Sequence, residues 1–227
     1  MSLITLDKVT KIYPDEFVAL EEISCRIREG EFVSLVGASG AGKSTLLKMI
    51  YANERPTYGA IYFGGRDIAS IPERLLPFYR RNFGTVFQDF KLLPKKTVFE
   101  NVAYALEVQG KSNAQIREEV PKILEIVGMA DQMDKYPDQI SGGEAQRIAL
   151  ARAVIHRPRV LIADEPTGNL DPVSTDEIIR LLLKINELGT TVILATHDQS
   201  IVDRLHKRVI VLNQGRIVRD DSQGRYN

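Results

Sequence analysis

The order of apolar and polar positions divides the chain into an α/β part, a helical part and a second α/β part. Up to about residue 88, apolar runs of strand length alternate with turns rich in Gly and Pro. From about residue 89 to residue 157, apolar residues recur at helical spacing. After Pro158, residues 160–163 and 191–195 form near-continuous apolar runs, which are typical of buried parallel strands.

Capping and turn residues give the predicted elements approximate ends. Residues 3–9 predict an edge strand, and residues 18–27 predict a second pair of strands. Thr97 with Glu100 predicts a capping box at the first helix of the helical part. The other predicted elements are strands at residues 32–36, 60–63 and 83–87, helices at residues 98–108, 112–127, from 141 onward and 176–188, and a terminal hairpin of residues 209–212 and 216–218.

The segment from Gly37 to Thr45 connects a predicted strand to a predicted helix and reads G-x-x-x-x-G-K-S-T. In this context the glycines let several backbone N–H groups point at one anion, and the helix N-terminus adds partial positive charge. Lys43 supplies a full charge for the β- and γ-phosphates, and the Ser44 hydroxyl is a ligand for Mg²⁺. The strand before it and the helix after it disfavour the alternative, an ordinary Gly-rich turn. The predicted ATP-binding residues of this segment are Gly37, Ala38, Ser39, Gly40, Ala41, Gly42, Lys43, Ser44 and Thr45.

Composition narrows the possible partners and the compartment. Lys and Arg together number 30, as do Asp and Glu, so the zero net charge argues against a nucleic-acid partner. Cys25 is the only cysteine and forms no internal disulfide. No apolar run approaches the roughly 20 residues of a spanning helix, and the N-terminus lacks a signal-peptide pattern. We therefore expect a cytoplasmic chain that reaches a membrane only through a partner.

Several polar residues directly follow predicted strands, where ligands bind in open α/β sheets. Asp164 is predicted to hold Mg²⁺ through water, and Glu165 to accept a proton from the water that attacks the γ-phosphate. His197 is predicted to hydrogen-bond the γ-phosphate, and Gln88 to reach Mg²⁺ or the attacking water. Tyr13 is a weaker candidate for stacking on a base, because most tyrosines simply pack.

The tetrapeptide Ser141, Gly142, Gly143 and Glu144 opens a predicted helix with a bare N-terminus. Such a start can bind an anion, which for a chain that already has a phosphate site suggests the nucleotide of another copy. An ordinary Gly-containing helix cap explains the tetrapeptide equally well.

Taken together, these motifs resemble the ATP-binding cassette (ABC) family from Leu3 to Arg219. The resemblance implies a P-loop NTPase (RecA-like) α/β core with an N-terminal antiparallel β subdomain and an inserted helical subdomain. The corresponding bounds are residues 1–88, 89–157 and 158–227. The family's signature usually has Leu and Gln where this chain has Ile140 and Glu144.

The resemblance also implies roles and ligands. ATP and Mg²⁺ would be the cofactors, with Tyr13 as the adenine-stacking aromatic. Ser44, Gln88 and Asp164 would form the metal site, and Lys43, Gln88, Glu165 and His197 the catalytic set. The signature Ser141, Gly142, Gly143 and Glu144 would act in trans in an ATP-dependent dimer, and Asn169, Leu170 and Asp171 would form the loop that couples the two sites.

Within the family the chain is most similar to the branch of cell-division ATPases, on residues 87–93, 96–103 and 215–220. That similarity implies an integral membrane partner of the FtsX type that regulates cell-wall hydrolysis, and a peripheral position on the inner face of the membrane, at the division site. The predicted docking residues are Phe90, Leu92, Leu93 and Tyr104, and the alternative for the first three is that they pack the joint between the helical part and the core.

Two alternatives stay open at this stage. Leu93 and Pro94 also resemble the lipoprotein-extraction ATPases, so an ATPase of a lipoprotein or macrolide exporter is the second reading. A soluble ABC ATPase of DNA repair or translation is the third, but that class usually has a coiled-coil insertion or two fused cassettes.

Overall fold

The computed structural model describes residues 2–224, and within them the strands form two sheets. The first sheet is antiparallel and has the order β2 (Val18–Arg28), β1 (Ser2–Ile12), β4 (Tyr58–Phe63) and β5 (Arg66–Asp67). The prediction of an edge strand at residues 3–9 is wrong, because β1 pairs on both sides. Residues 18–27 are likewise one long strand and not a pair.

The second sheet carries the strands whose ends form the site. Its order is β10 (Arg216–Asp221), β9 (Arg208–Asn213), β3 (Phe32–Val36), β8 (Thr191–Thr196), β7 (Val160–Asp164) and β6 (Phe83–Phe87). All neighbours from β9 to β6 are parallel, and only β10 runs antiparallel. The carboxyl ends of β3, β6, β7 and β8 therefore meet at one edge of the sheet.

The predicted helices occur in the predicted order, the helix at residues 98–108 with the predicted ends, and two short helices, at residues 76–80 and 199–205, were not predicted. In the described chain the helices are α1 (Lys43–Ile50), α2 (Leu76–Arg80), α3 (Val98–Val108), α4 (Asn113–Ile126), α5 (Gly142–Val154), α6 (Pro172–Glu187) and α7 (Gln199–Leu205). The capping box of Thr97 and Glu100 is confirmed. The predicted start of α6 at Asp176 is wrong, because Asp171 caps the helix and Pro172 occupies its first turn. No described helix has the length and apolar character needed to cross a membrane.

The helical insertion has a core of its own and one tight contact with the sheet. Apolar residues of α3, α4 and α5, such as Leu106, Leu124 and Ile148, form a buried cluster. A Cβ built on Gly84 of β6 would lie 2.1 Å from the carbonyl oxygen of Ala153, so α5 approaches the sheet backbone closely there. The predicted domain bounds stay a prediction.

Candidate active site

The loop between β3 and α1 is shaped by two glycines that have no room for a side chain. A Cβ on Gly37 would lie 2.3 Å from the Leu212 carbonyl oxygen, and one on Gly42 would lie 2.7 Å from the Ala19 carbonyl oxygen. Gly42 is also the N-cap of α1, with φ 102°. The unpaired N–H groups of the first turn of α1 therefore lie at the loop, which is the arrangement of an anion site.

A cavity of about 630 Å³ lies over this loop. That volume is in the range of small-molecule sites. Its walls include the predicted phosphate residues except Gly37, together with side chains from other strand ends. The lining residues are Phe17, Ala19, Ala38, Ser39, Gly40, Ala41, Gly42, Lys43, Ser44, Thr45, Gln88, Glu165 and His197.

Lys43 and His197 hold Glu165 from two sides. The Lys43 Nζ donates to the Gly37 carbonyl oxygen at 2.7 Å and lies 3.5 Å from one carboxylate oxygen of Glu165. The other carboxylate oxygen lies 2.9 Å from Nδ1 of His197. Glu165 itself has φ 50°, and its N–H donates to the Ala195 carbonyl oxygen of β8. The structure thus brings the predicted base, the phosphate lysine and the predicted histidine together.

Asp164, the neighbouring carboxylate, has a different environment. Burial raises its pKa, while a hydrogen bond with the Ser44 hydroxyl opposes that rise. Its Oδ1 is buried without a hydrogen-bond partner. A buried unpaired carboxylate oxygen beside a hydroxyl is a donor set that fits a hard cation. In residues 2–224 no group of three or more His, Cys, Asp or Glu side chains is arranged to hold a metal ion by itself, so phosphate and water oxygens would complete the coordination.

Gln88 and Asn169 form a reciprocal amide pair. The Gln88 Nε2 donates to Asn169 Oδ1 at 3.0 Å, and the Asn169 side-chain nitrogen donates to the Gln88 carbonyl oxygen at 3.3 Å. Gly168 makes room for the pair, because a Cβ there would lie 2.9 Å from Gln88 Nε2. The predicted coupling loop is therefore joined directly to a residue that lines the cavity. Further along this loop, Asp171 caps α6.

The signature tetrapeptide forms a complete capping box at the start of α5. The Ser141 hydroxyl accepts from the Glu144 N–H at 3.3 Å, and the Glu144 carboxylate accepts from the Ser141 N–H at 2.7 Å. That backbone hydrogen bond lowers the pKa of Glu144. Ser141 and Gly142 are exposed, and within the described chain none of the four residues lines the cavity over the loop.

Tyr13 lies close to α1 without lining the cavity. Its hydroxyl donates to Glu54, and its pKa is raised chiefly by burial and by that contact. The aromatic ring that faces the cavity is Phe17, from the same turn. The role of Tyr13 as the adenine-stacking residue stays a prediction.

Comparison with known proteins decides the family. Residues 20–168 match the sequence profile described as ABC transporter. The chain belongs to the ABC transporter family. It is 52% identical to the cell division ATP-binding protein FtsE of Bacillus subtilis over 99% of this chain and 98% of that protein. It is 44% identical to FtsE of Escherichia coli K12 over 95% of this chain and 97% of that protein.

Solved structures of ABC cassettes have the same fold. The CbiO1 protein of Clostridium perfringens, part of the ABC transporter complex CbiONQ, superimposes with a TM-score of 0.90 at 32% identity, over 98% of this chain and 89% of that one. The dimeric structure of MJ0796, an ABC transporter cassette, has a TM-score of 0.88 at 36% identity, over 98% and 100% of the two chains. This cassette is an ATP-hydrolysing subunit with the P-loop fold that its motifs predict.

Two residues of the cassette's site escaped the sequence interpretation. Gln146 is fully buried in α5, and its Nε2 donates to the Pro166 carbonyl oxygen just beyond Glu165. It thereby ties α5 to the loop that carries Glu165. The signal was a glutamine on the buried face of a helix, since buried amides need hydrogen-bond partners. Nothing in the sequence marked Phe17 as a residue of the site, except that it is an aromatic residue in a turn.

Proposed function

We propose that this cassette is the ATPase subunit of a membrane-associated cell-division complex. ATP binding and hydrolysis would act on an integral membrane subunit of the FtsX type and so regulate cell-wall hydrolysis. The observation that carries the proposal is the similarity over nearly the whole chain to proteins named FtsE. Its place would be the inner face of the membrane, at the division site.

In this proposal the chain's own residues perform the hydrolysis. The loop N–H groups, the α1 N-terminus and Lys43 bind the phosphates. Glu165 takes the proton of the attacking water while the bond from the γ-phosphorus to the leaving ADP oxygen breaks. His197 would position Glu165 through Nδ1 and, with a proton on each ring nitrogen, would donate to a γ-phosphate oxygen through Nε2. Gln88 orients the attacking water. Its hydrogen bond to Asn169 links Gln88 to the coupling loop.

Mg²⁺ is the proposed metal. Ser44 would bind it directly, Asp164 through water, and Gln88 would complete the protein's contribution. When bound, the ion would neutralise charge on the phosphate oxygens. The buried, unpaired Oδ1 of Asp164 supports this assignment.

A second copy is proposed to complete the site. The exposed start of α5, with Ser141, Gly142, Gly143 and Glu144, would face the nucleotide of the partner copy, and Asn169, Leu170 and Asp171 would couple the two sites. Support comes from the dimeric structures of the related MJ0796 cassette, one of them bound to ADP and phosphate. Within this chain, Glu144 serves as the cap that holds Ser141 in place.

The predicted docking residues for the membrane subunit differ in accessibility. Tyr104 is 47% exposed on α3. Leu92 packs against the helical core, and the Phe90 ring lies near Gly142. The backbone of Leu93 is held by the buried Asn101 side chain. We propose that Tyr104 makes the direct contact and that Phe90, Leu92 and Leu93 form the floor beneath it.

The test is affinity purification of the cassette from solubilised membranes, with identification of the copurified subunit. The proposal expects an FtsX-type subunit, and a several-fold lower yield of it with Tyr104→Arg. Tyr58→Arg is the matched control, because Tyr58 is 66% exposed on the antiparallel sheet. An exporter subunit in the eluate would contradict the cell-division role. An unchanged yield with Tyr104→Arg would show that Tyr104 is not part of the docking surface.

A further inference from the structure

Within residues 2–224, three α-helices begin with a complete capping box, and the box of α5 has an additional contact. The pairs are Thr97 with Glu100 on α3, Ser112 with Gln115 on α4, and Ser141 with Glu144 on α5. The Gln132 Nε2 donates to Oε1 of Glu144 at 2.7 Å, and both side chains are half-buried. The corresponding donor on α3 is the exposed Lys96, whose Nζ lies 3.4 Å from Glu100. The cap of α5 is therefore held by a shorter and more buried hydrogen bond than the cap of α3.

Glu144 uses its two carboxylate oxygens for different donors. Oε2 accepts from the Ser141 N–H at 2.7 Å and from the Ser141 hydroxyl at 2.9 Å, while Oε1 accepts from Gln132. The Ser141 N–H, the Ser141 hydroxyl and the Gln132 amide all lower the pKa of Glu144, so the side chain is ionised at neutral pH. An ionised carboxylate only accepts hydrogen bonds, which suits a site with three donors. Loss of Gln132 would leave Oε1 without its donor and the carboxylate free to rotate.

Gln132 projects from a loop that is fixed to the helical part. The backbone N–H groups of Val98 and Phe99 donate to the carbonyl oxygens of Lys135 and Met133, at 2.8 and 2.9 Å. These N–H groups belong to the first turn of α3 and have no acceptor within their own helix. The Met133 side chain packs against the core of the insertion. The position of Glu144 is thus set by the helical part as well as by the cap itself.

The Gln132 amide has one end that the structure does not use. Its Oε1 is buried and has no hydrogen-bond partner among residues 2–224. A buried polar atom without a partner costs free energy, so packing alone does not account for an amide at this position. Because an amide both donates and accepts, Gln132 can hold a carboxylate at position 144 through Nε2 or, turned over, an amide there through Oε1.

We infer that Gln132 is a positioning residue for the signature, which holds the Glu144 carboxylate and thereby the Ser141 hydroxyl in place for the nucleotide of a second copy. The inference rests on the proposed two-copy site and adds a residue outside the signature to it. Without Gln132, the carboxylate can rotate toward the phosphates of the partner's nucleotide, where like charges repel. The hydrogen bond to Gln132 keeps that charge on the side of the helical part.

The first test measures dimers in the Glu165→Gln background with ATP and Mg²⁺. Gln132→Ala should raise the dissociation constant of the dimer by about 10-fold, as expected when a hydrogen bond to a charged group is lost. ATP binding by the monomer should not change, because Gln132 is not among the described residues that line the cavity over the phosphate loop. Lys96→Ala is the matched control, since it removes the corresponding donor to Glu100 and should leave the dimer unchanged.

The second test exchanges the amide and the carboxylate. Gln132→Glu places two carboxylates at hydrogen-bond distance and should weaken the dimer at least as much as Gln132→Ala. The double variant Gln132→Glu with Glu144→Gln should restore the dimer, because the amide at position 144 donates to the new carboxylate while its oxygen accepts from the Ser141 N–H. This rescue separates positioning from support of the fold. Melting temperatures of all variants check the fold, and the exchange pair decides if Gln132→Ala fails to fold.

Each contrary outcome identifies what fails. An unchanged dimer in Gln132→Ala overturns the inference and leaves the ATPase and the two-copy site standing. Equal weakening by Gln132→Ala and Lys96→Ala also overturns it, because the effect is then not specific to the signature cap. A double variant as weak as Gln132→Glu alone contradicts it as well. A Glu165→Gln parent that forms no dimer with ATP overturns the two-copy site together with the inference.

Discussion

Two adjacent carboxylates at the end of β7 have different environments. Glu165 lies between the Lys43 ammonium, 3.5 Å from one carboxylate oxygen, and the His197 ring, 2.9 Å from the other. Asp164 has one buried oxygen without a partner and a raised pKa. Separate environments for neighbouring carboxylates are how a site assigns one to proton transfer and another to a cation.

The raised pKa of Asp164 predicts a cost in stability at neutral pH. Because folding favours the protonated carboxyl, its stabilising contribution is present below the ordinary aspartate pKa and is lost as pH rises through the raised value. Asp164→Asn should therefore raise the melting temperature at pH 7 and lower Mg²⁺-dependent ATPase activity. The gain should shrink toward acid pH in thermal melts.

The control for this prediction is Asp131→Asn, at an exposed aspartate away from the site. It should change neither property. A less stable Asp164→Asn variant at pH 7 would show that the carboxylate is already satisfied within the folded protein, and its unpaired oxygen would then no longer support a cation site.

At the residue scale, the sequence could predict only those neighbours that strand order brings together. Gln88, Glu165 and His197 each follow a parallel strand, so their meeting at one edge was predictable. The pair of Gln88 with Asn169 joins residues 81 positions apart. Contacts of that kind depend on side-chain geometry that no local pattern carries. The positive φ of Glu165 could not be predicted from the sequence either, because glutamate rarely adopts a positive φ.

Helix α5 contacts both the loop after β7 and the sheet. Its first turn is the signature cap, its buried Gln146 holds the loop after β7, and its last turn lies on β6 at Gly84. These contacts connect the signature at the start of α5 to the loop that carries Glu165 and to the sheet.

Gly84→Ala tests the contact of α5 with β6. The new Cβ would lie 2.1 Å from the Ala153 carbonyl oxygen, so the helix or the strand must move. Overpacking of this kind costs roughly 1–3 kcal/mol, which chemical denaturation would measure. Gly142→Ala is the control, because its Cβ would make an ordinary contact at 3.5 Å with Phe90. Equal stability of the two variants would show that the close approach is not a constraint.

The start of α6 and the position of β1 in its sheet were predicted wrongly, for different reasons. The helical period of α6 becomes clear only after Asp176, although Asp171 and Pro172 are a cap and a first-turn proline. The alternating pattern of β1 cannot distinguish an edge strand from a central one, because pairing partners lie elsewhere in the chain. Local capping rules did locate α3, α4 and α5.

For the whole molecule, the separation of signature and phosphate loop within one chain points to a two-copy site. Ser141→Arg should leave ATP binding by the monomer near normal while it prevents an ATP-dependent dimer. Ser112→Arg is a matched control, because Ser112 is also an exposed N-cap with a complete capping box, on α4. Both variants should lose about 1 kcal/mol of stability through the cap, and only Ser141→Arg should lose the dimer. Persistence of its dimer at saturating ATP would remove the trans role.

The Glu165→Gln variant offers the most direct measurement of the catalytic base and the two-copy site together. The amide keeps the size of the side chain but cannot accept the proton of the attacking water. With ATP and Mg²⁺, light scattering after gel filtration should show a stable dimer, and phosphate release should fall by roughly 100-fold or more while ATP affinity is retained. A monomeric Glu165→Gln variant that releases phosphate at the wild-type rate would contradict both the base assignment and the composite site.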